Sequence, residues 1–101
     1  MVEITPALIQ SYLDTKADED IIGHCHDAGA CLVAETILWK YPEYTSVFVA
    51  YDTIDVGKVD FVVTPIDIAK IIIAFDDLFL VRHPITKQEF LAKKGALLCL
   101  K

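Results

Sequence analysis

The chain has few basic residues. Nine lysines and arginines stand against 15 aspartates and glutamates, which gives a formal net charge of −6. Proteins that bind nucleic acid use basic side chains to contact phosphates, often beside aromatic residues on which bases stack. Neither pattern is present here, so we expect no direct nucleic-acid binding. An acidic surface suits a protein partner with a basic face, although a net charge of this size also serves solubility.

Long apolar runs are missing as well. The longest covers residues 71–75, whereas a membrane-spanning helix needs about 20 apolar residues. No basic segment followed by an apolar stretch stands at the start, so we expect neither a signal peptide nor a membrane anchor. The three cysteines are an odd number. Without an export signal, they are expected to be reduced thiols in the cytoplasm.

The chain also contains no linker, repeat or low-complexity tract, which predicts a single domain over residues 1–101. Apolar residues make up 54% of the sequence, above the roughly 45–50% of typical globular domains. A small domain with this apolar excess is expected to bury part of its surface against another chain. The composition therefore predicts a homo-oligomer or a complex with another protein.

Helix-start signals divide the first half of the chain. Thr5 is a candidate N-cap and Pro6 suits the first helical position, where a missing N–H costs nothing. A second helix is predicted over residues 20–41, because acidic residues precede it and Pro42 would end it. A strand over residues 30–38 remains an alternative.

The clearest β pattern follows. Residues 45–51 and 58–64 are rich in β-branched and aromatic side chains, and the intervening DTIDVG segment supplies a turn. Both predicted strands carry apolar residues on both faces. Such strands are covered on two sides, or on one side by their own chain and on the other by a partner.

Two further helices are predicted in the second half. Thr64, Pro65 and Asp67 would occupy the N-cap, N1 and N3 positions of a nearly all-apolar helix, which is typical of a central helix or a dimer seam. Thr86 and Glu89 have the spacing of a capping box.

Together these elements predict an α+β fold. The predicted order is α-α-β-β-α-α-β, with a small, largely antiparallel sheet packed by helices. The last strand, over residues 96–100, would add to a sheet edge or pair with another chain.

The segment HCHDAGAC, residues 24–31, holds the densest group of chemically versatile side chains. In a helix, His24 and His26 would project about 160° apart and could not share a metal. In a strand or loop they would project to one side, and Asp27 or Cys31 could complete a site for zinc or another divalent transition metal. The default interpretation is a polar helix stripe without a cofactor.

Cysteine chemistry receives less support. In a helix, Cys25 and Cys31 would be about 9 Å apart along the axis, too far for a disulfide. A reactive Cys31 would need a base from another segment, such as His83. Gly57 alone does not make a phosphate-binding loop. We therefore assign no catalytic residues.

Aromatic and aliphatic residues supply the candidate interface. Aromatic side chains often anchor protein–protein contacts. The interface candidates from the hairpin region and the apolar helix are Trp39, Tyr41, Tyr44, Tyr51, Ile72, Phe75 and Phe79. The sequence allows two environments for Asp76. In an unbroken helix its side chain would be buried, with Arg82 or His83 as its partner. In a helix that ends near Asp77 it would be exposed to solvent.

Three hypotheses for function follow. The first is a small acidic protein-binding or regulatory module of the cytoplasm, without catalytic activity, that acts as a homodimer. The second is a metal-dependent or ligand-binding enzyme that uses His24, His26, Asp27 and Cys31. The third is an acidic inhibitor of phage or plasmid type that mimics DNA.

Overall fold

A computed structural model describes residues 2–57 and 60–95. Over these ranges the helices are α1 (Pro6–Leu13), α2 (Leu32–Lys40), α3 (Ile66–Asp76) and α4 (Lys87–Lys94), and the strands are β1 (Ile21–Cys25), β2 (Val47–Val49), β3 (Thr53–Val56), β4 (Asp60–Val63) and β5 (His83–Thr86). The predicted α+β class is confirmed, and the order roughly matches the predicted one. The strand predicted over residues 96–100 lies outside the described residues.

The strands form two antiparallel sheets. β1 pairs with β5, and β2, β3 and β4 form a meander in that order. Of the helices in the described ranges, none has the length and apolar character that crossing a bilayer requires.

The helix predicted over residues 20–41 is wrong, and so is the alternative strand over 30–38. The segment consists of β1, a turn and then α2. Pairing with β5 makes residues 21–25 extended. At Gly23 the chain passes so close to the start of α2 that a Cβ would lie 2.8 Å from Leu32 N. Glycine is therefore required by a close backbone approach rather than tolerated inside a helix.

The predicted hairpin also differs from the structure. The DTIDVG segment, expected to be a turn, contains β3, which lies between the two expected strands. Ala50 N–H donates to Thr53 O at 2.9 Å, so the first turn is only two residues long. Gly57 follows β3 with a φ of +64°, a left-handed conformation that glycine adopts without strain.

Two of the three predicted N-caps are confirmed. Thr5 caps α1, and Thr86 with Glu89 forms the predicted capping box of α4. The third is displaced by one residue: Pro65, not Thr64, is the N-cap of α3. The Thr64 hydroxyl instead donates to Ala50 O at 3.0 Å, which ties the end of β4 to the β2–β3 turn.

A single cluster of buried side chains joins the helices to one face of each sheet. The rings of Phe75 in α3 and Phe90 in α4 have their centroids 5.9 Å apart. The largest fully buried side chains also include Ile9, Leu13, Ile22, Leu32, Ile37, Ile54, Ile68, Ile71 and Ile85. Burial of each such side chain contributes about 1.5–3 kcal/mol.

The close approach at Gly23 yields a test of the β1–α2 corner. Gly23→Ala is expected to lower the free energy of unfolding by about 1–3 kcal/mol, because backbone atoms must move to admit the methyl group. Gly29→Ala is the matched control, since a Cβ there meets its nearest atoms at an ordinary 3.7 Å. Urea denaturation of both variants measures the difference. Equal stability of the two variants would contradict this account of the corner.

Candidate functional site

The four candidate metal ligands do not converge on one point. His24 lies in β1, His26 and Asp27 lie in the turn that follows, and Cys31 is the N-cap of α2. Within residues 2–57 and 60–95, no three His, Cys, Asp or Glu side chains are placed so that they could hold a metal ion. The structure thus gives the predicted metal site no geometric support.

Two of these side chains have other partners, and a third is buried. His26 Nε2 lies 2.6 Å from Phe79 O, so that the ring nitrogen can donate to this carbonyl. Asp27 Oδ2 accepts from Arg82 Nε at 2.7 Å, and this hydrogen bond lowers the pKa of the Asp27 carboxyl. Cys31 is buried, which raises the pKa of its thiol to about 11. A thiol with that pKa stays protonated near neutral pH and is a weak nucleophile.

His26 has an unusual backbone. Its φ is +57°, which makes it the one positive-φ residue other than glycine in the described part of the chain. A side chain in the left-handed region costs about 1–2 kcal/mol. The amide of His26 donates to Asp76 Oδ1 at 2.8 Å, a charge-assisted hydrogen bond that offsets this strain. The end of α3 therefore fixes the turn after β1.

The structure also defines the environment of Asp76. Helix α3 ends at Asp76, and Asp77 is exposed. Both observations agree with the alternative in which the helix ends near Asp77. However, Asp76 is half-buried rather than wet, and its carboxylate contacts neither Arg82 nor His83. Its second oxygen, Oδ2, accepts from the Tyr51 hydroxyl at 3.2 Å. Partial burial raises the pKa of Tyr51, and the charge of Asp76 raises it further.

These groups line a cleft of about 280 Å³, named here the Asp76 cleft. It lies between the β1–α2 turn, the β2–β3 turn and the C-terminal end of α3. Its lining residues are His26, Asp27, Ala28, Cys31, Val49, Ala50, Tyr51, Ile72 and Asp76. Three of the four predicted metal ligands thus lie on one cleft wall, but the other polar groups, Tyr51 and Asp76, come from distant parts of the chain.

The candidate interface residues are dispersed. Ile72 and Phe75 are 4% and 1% exposed, so in this structure they belong to the core rather than to an exposed surface. They are buried because this face of α3 packs against the rest of the core cluster. Phe79 is half-buried and stacks on His83 with a centroid distance of 3.8 Å.

The other four interface candidates lie closer to the surface. Trp39 packs against Tyr12 and is partly exposed, with ring centroids 5.9 Å apart. Tyr41 and Tyr44 are half-buried and meet edge to face. Tyr51 is 55% exposed at the β2–β3 turn. None of the four belongs to the exposed apolar feature of the three-stranded sheet.

That feature is the solvent-facing side of the β2–β3–β4 sheet, named here the outer face. Phe48, Phe61 and Val63 are 63%, 67% and 70% exposed there. Phe48 and Phe61 flank Asp55 in one cross-strand row, and Val63 pairs with Thr53 in the next. The sequence pattern predicted apolar residues on both sides of these strands, but we did not name Phe48, Phe61 or Val63 as interface residues.

β4 is one of the two edge strands of this sheet, and its inner side pairs with β3. Thr64 N–H donates to Asp52 O at 2.9 Å, so even-numbered residues near β4 direct their backbone groups toward β3. Because this direction alternates along a strand, the N–H and C=O groups of Phe61 and Val63 point to the outer edge. The described residues place no further strand beside β4.

Comparisons with known proteins provide no relative: no family model, curated protein or solved structure matches this chain.

The Cys31 thiol makes stability depend on alkaline pH. Its pKa is raised from 9.0 to about 11 by burial, so between these values the unfolded chain ionises first and the folded state loses stability as pH rises. We expect the free energy of unfolding to fall from pH 9 to pH 10, whereas Tyr12, whose pKa is raised from 10.0 to about 12, causes most of its own decline above pH 10. Urea denaturation should show a weaker decline in Cys31→Ala. An identical decline would contradict this assignment.

Proposed function

We propose that the protein is a small acidic protein-binding module of the cytoplasm, without catalytic activity of its own, that acts as a homodimer. The observation that carries this proposal is the outer face, on which Phe48, Phe61 and Val63 are exposed beside the edge strand β4. Natural sheets usually protect edge strands with charges, prolines or bulges. The apolar side chains of Phe61 and Val63 supply none of these.

A second copy is the partner that fits this edge. Two β4 strands related by a twofold axis can pair antiparallel, which joins the two three-stranded sheets into one of six strands. The outward N–H and C=O groups of Phe61 and Val63 would then hydrogen-bond to the same groups of the other copy. Phe61 and Val63 of the two chains would also meet on the outer face as cross-strand neighbours.

The position of Asp55 favours edge pairing over face-to-face stacking. In a stacked dimer, the carboxylates between Phe48 and Phe61 could be brought together in a desolvated interface, at a cost of several kcal/mol. In an edge-paired dimer, the two Asp55 residues are three strand spacings apart, about 14 Å. Salt screens charges at that separation.

The other hypotheses have less support. The hypothesis of a metal-dependent enzyme lacks support because the described residues contain no group of side chains placed to bind a metal ion. The DNA-mimicking inhibitor stays a prediction from the net charge of −6 alone. The cytoplasmic location is proposed because Cys25 and Cys31 are free, buried thiols.

Sedimentation equilibrium over a range of protein concentrations tests the dimer. Val63→Pro should weaken dimerisation at least tenfold, because it removes an outward N–H without removing a bond to β3. Phe61→Lys should act similarly by placing a charge at the seam. Leu80→Lys is the control, since Leu80 is 97% exposed in the connection between α3 and β5, outside the β2–β3–β4 sheet, and should leave dimerisation unchanged.

Circular dichroism of each variant establishes that the fold is intact. A wild-type protein that stays monomeric at millimolar concentration would overturn the dimer. Equal dimerisation of wild type and both β4 variants would show that two copies associate through another surface.

A further inference from the structure

We propose that the Asp76 cleft is a binding site for a small primary alkylammonium ion, with the carboxylate of Asp76 as its counter-ion. This site is separate from the outer face and does not depend on dimerisation. Its volume of about 280 Å³ is near the lower limit of small-molecule pockets, which begin at about 300 Å³. A ligand of a few non-hydrogen atoms fits, whereas a nucleotide does not.

The first argument is that Asp76 is a half-buried carboxylate whose hydrogen-bond donors, among residues 2–57 and 60–95, are both neutral. These are the amide of His26 and the hydroxyl of Tyr51. In residues 2–57 and 60–95, the one salt bridge joins Arg82 to Asp27 and does not reach Asp76. An ionised carboxylate offers about four acceptor positions, so two remain available after these two hydrogen bonds.

The second argument is the position of Asp76 in α3. It is the last residue of the helix, where the helix dipole presents partial negative charge. An ammonium ion bound at Asp76 would offset the unfavourable interaction between its carboxylate and the helix dipole.

The charges around the cleft agree with this assignment. The side chains that face it from the β1–α2 turn are His26, which is held by Phe79 O, and Asp27, whose charge is balanced by Arg82. Of the two carboxylates in the cleft lining, Asp76 is the one that has no cationic partner among the described residues. The negative charges of Asp76 and Asp27 also contribute, after burial, to the raised pKa of Cys31.

The third argument concerns the walls. Apart from its polar groups, the cleft is lined by Ala28, Val49, Ala50 and Ile72. An apolar wall beside the carboxylate of Asp76 is complementary to an alkyl chain that ends in an ammonium group. The exposed ring of Tyr51 at the rim adds a surface on which a cation can rest. A metal ion would need further ligands, which the described residues do not supply.

The test is a titration of isotope-labelled protein with n-butylammonium chloride at constant ionic strength, followed by the amide resonances of Ala28, Ala50 and Tyr51. The matched neutral probe is 1-butanol. We expect saturable shifts with the ammonium probe and none with the alcohol. The absence of saturation with n-butylammonium, or equal binding of butanol, would overturn the proposal.

Two substitutions remove the same charge at adjacent positions. Asp76→Asn should weaken n-butylammonium binding at least tenfold, while Asp77→Asn, which alters an exposed residue outside the cleft lining, should change it less than threefold. Unchanged affinity in Asp76→Asn would overturn the assignment. If Asp76→Asn does not fold, the comparison of n-butylammonium with 1-butanol on the wild-type protein still tests the proposal.

Discussion

The carboxylate of Asp76 connects three segments that are far apart in the sequence. It ends α3, accepts from the amide of His26 after β1, and accepts from the hydroxyl of Tyr51 at the β2–β3 turn. The first of these bonds holds His26 in a left-handed conformation that would otherwise be unfavourable. The two sheets, which share no strand, are thereby fastened at the same point. The Asp76 cleft exists because these three segments meet there.

The parts of the fold that were predicted correctly depend on contacts between neighbours in the chain. The cap at Thr5 and the capping box of Thr86 and Glu89 involve residues three positions apart. The physical cause lies within the motif itself, because a side-chain oxygen satisfies a free N–H of the first helical turn. Such motifs can be identified without knowledge of the rest of the structure.

The parts predicted wrongly depend on distant contacts. Residues 21–25 have a sequence compatible with a helix, but they pair with β5, about 60 positions later. Gly23 is explained only by the backbone of α2 beside it. A turn is predicted at β3 because the DTIDVG segment contains aspartates and Gly57, whereas the buried residues of β3, Ile54 and Val56, match the period of a strand. In both segments, pairing with another strand determines the secondary structure.

The candidate site shows the same division. Residues His26, Asp27 and Cys31 were identified because reactive side chains are concentrated there. Asp76 was noted as unusual, but its partners were not foreseen, since the bonds to Tyr51 and His26 span 25 and 50 positions. The exposed residues of the outer face were visible in the alternation of β2 and β4. Which of the two sheet faces stays uncovered depends on where the helices pack, and that is settled only in three dimensions.

The carboxylate of Asp55 between two exposed phenylalanines has a consequence for behaviour at high protein concentration. If two outer faces stacked on each other, Phe48 and Phe61 of both copies would be buried in the contact, and such association rises with protein concentration. A charge in the middle of the aromatic row makes this stacking costly, because two copies of the carboxylate would have to be desolvated. We therefore expect Asp55 to oppose this association at high concentration, and its effect to weaken as ionic strength rises.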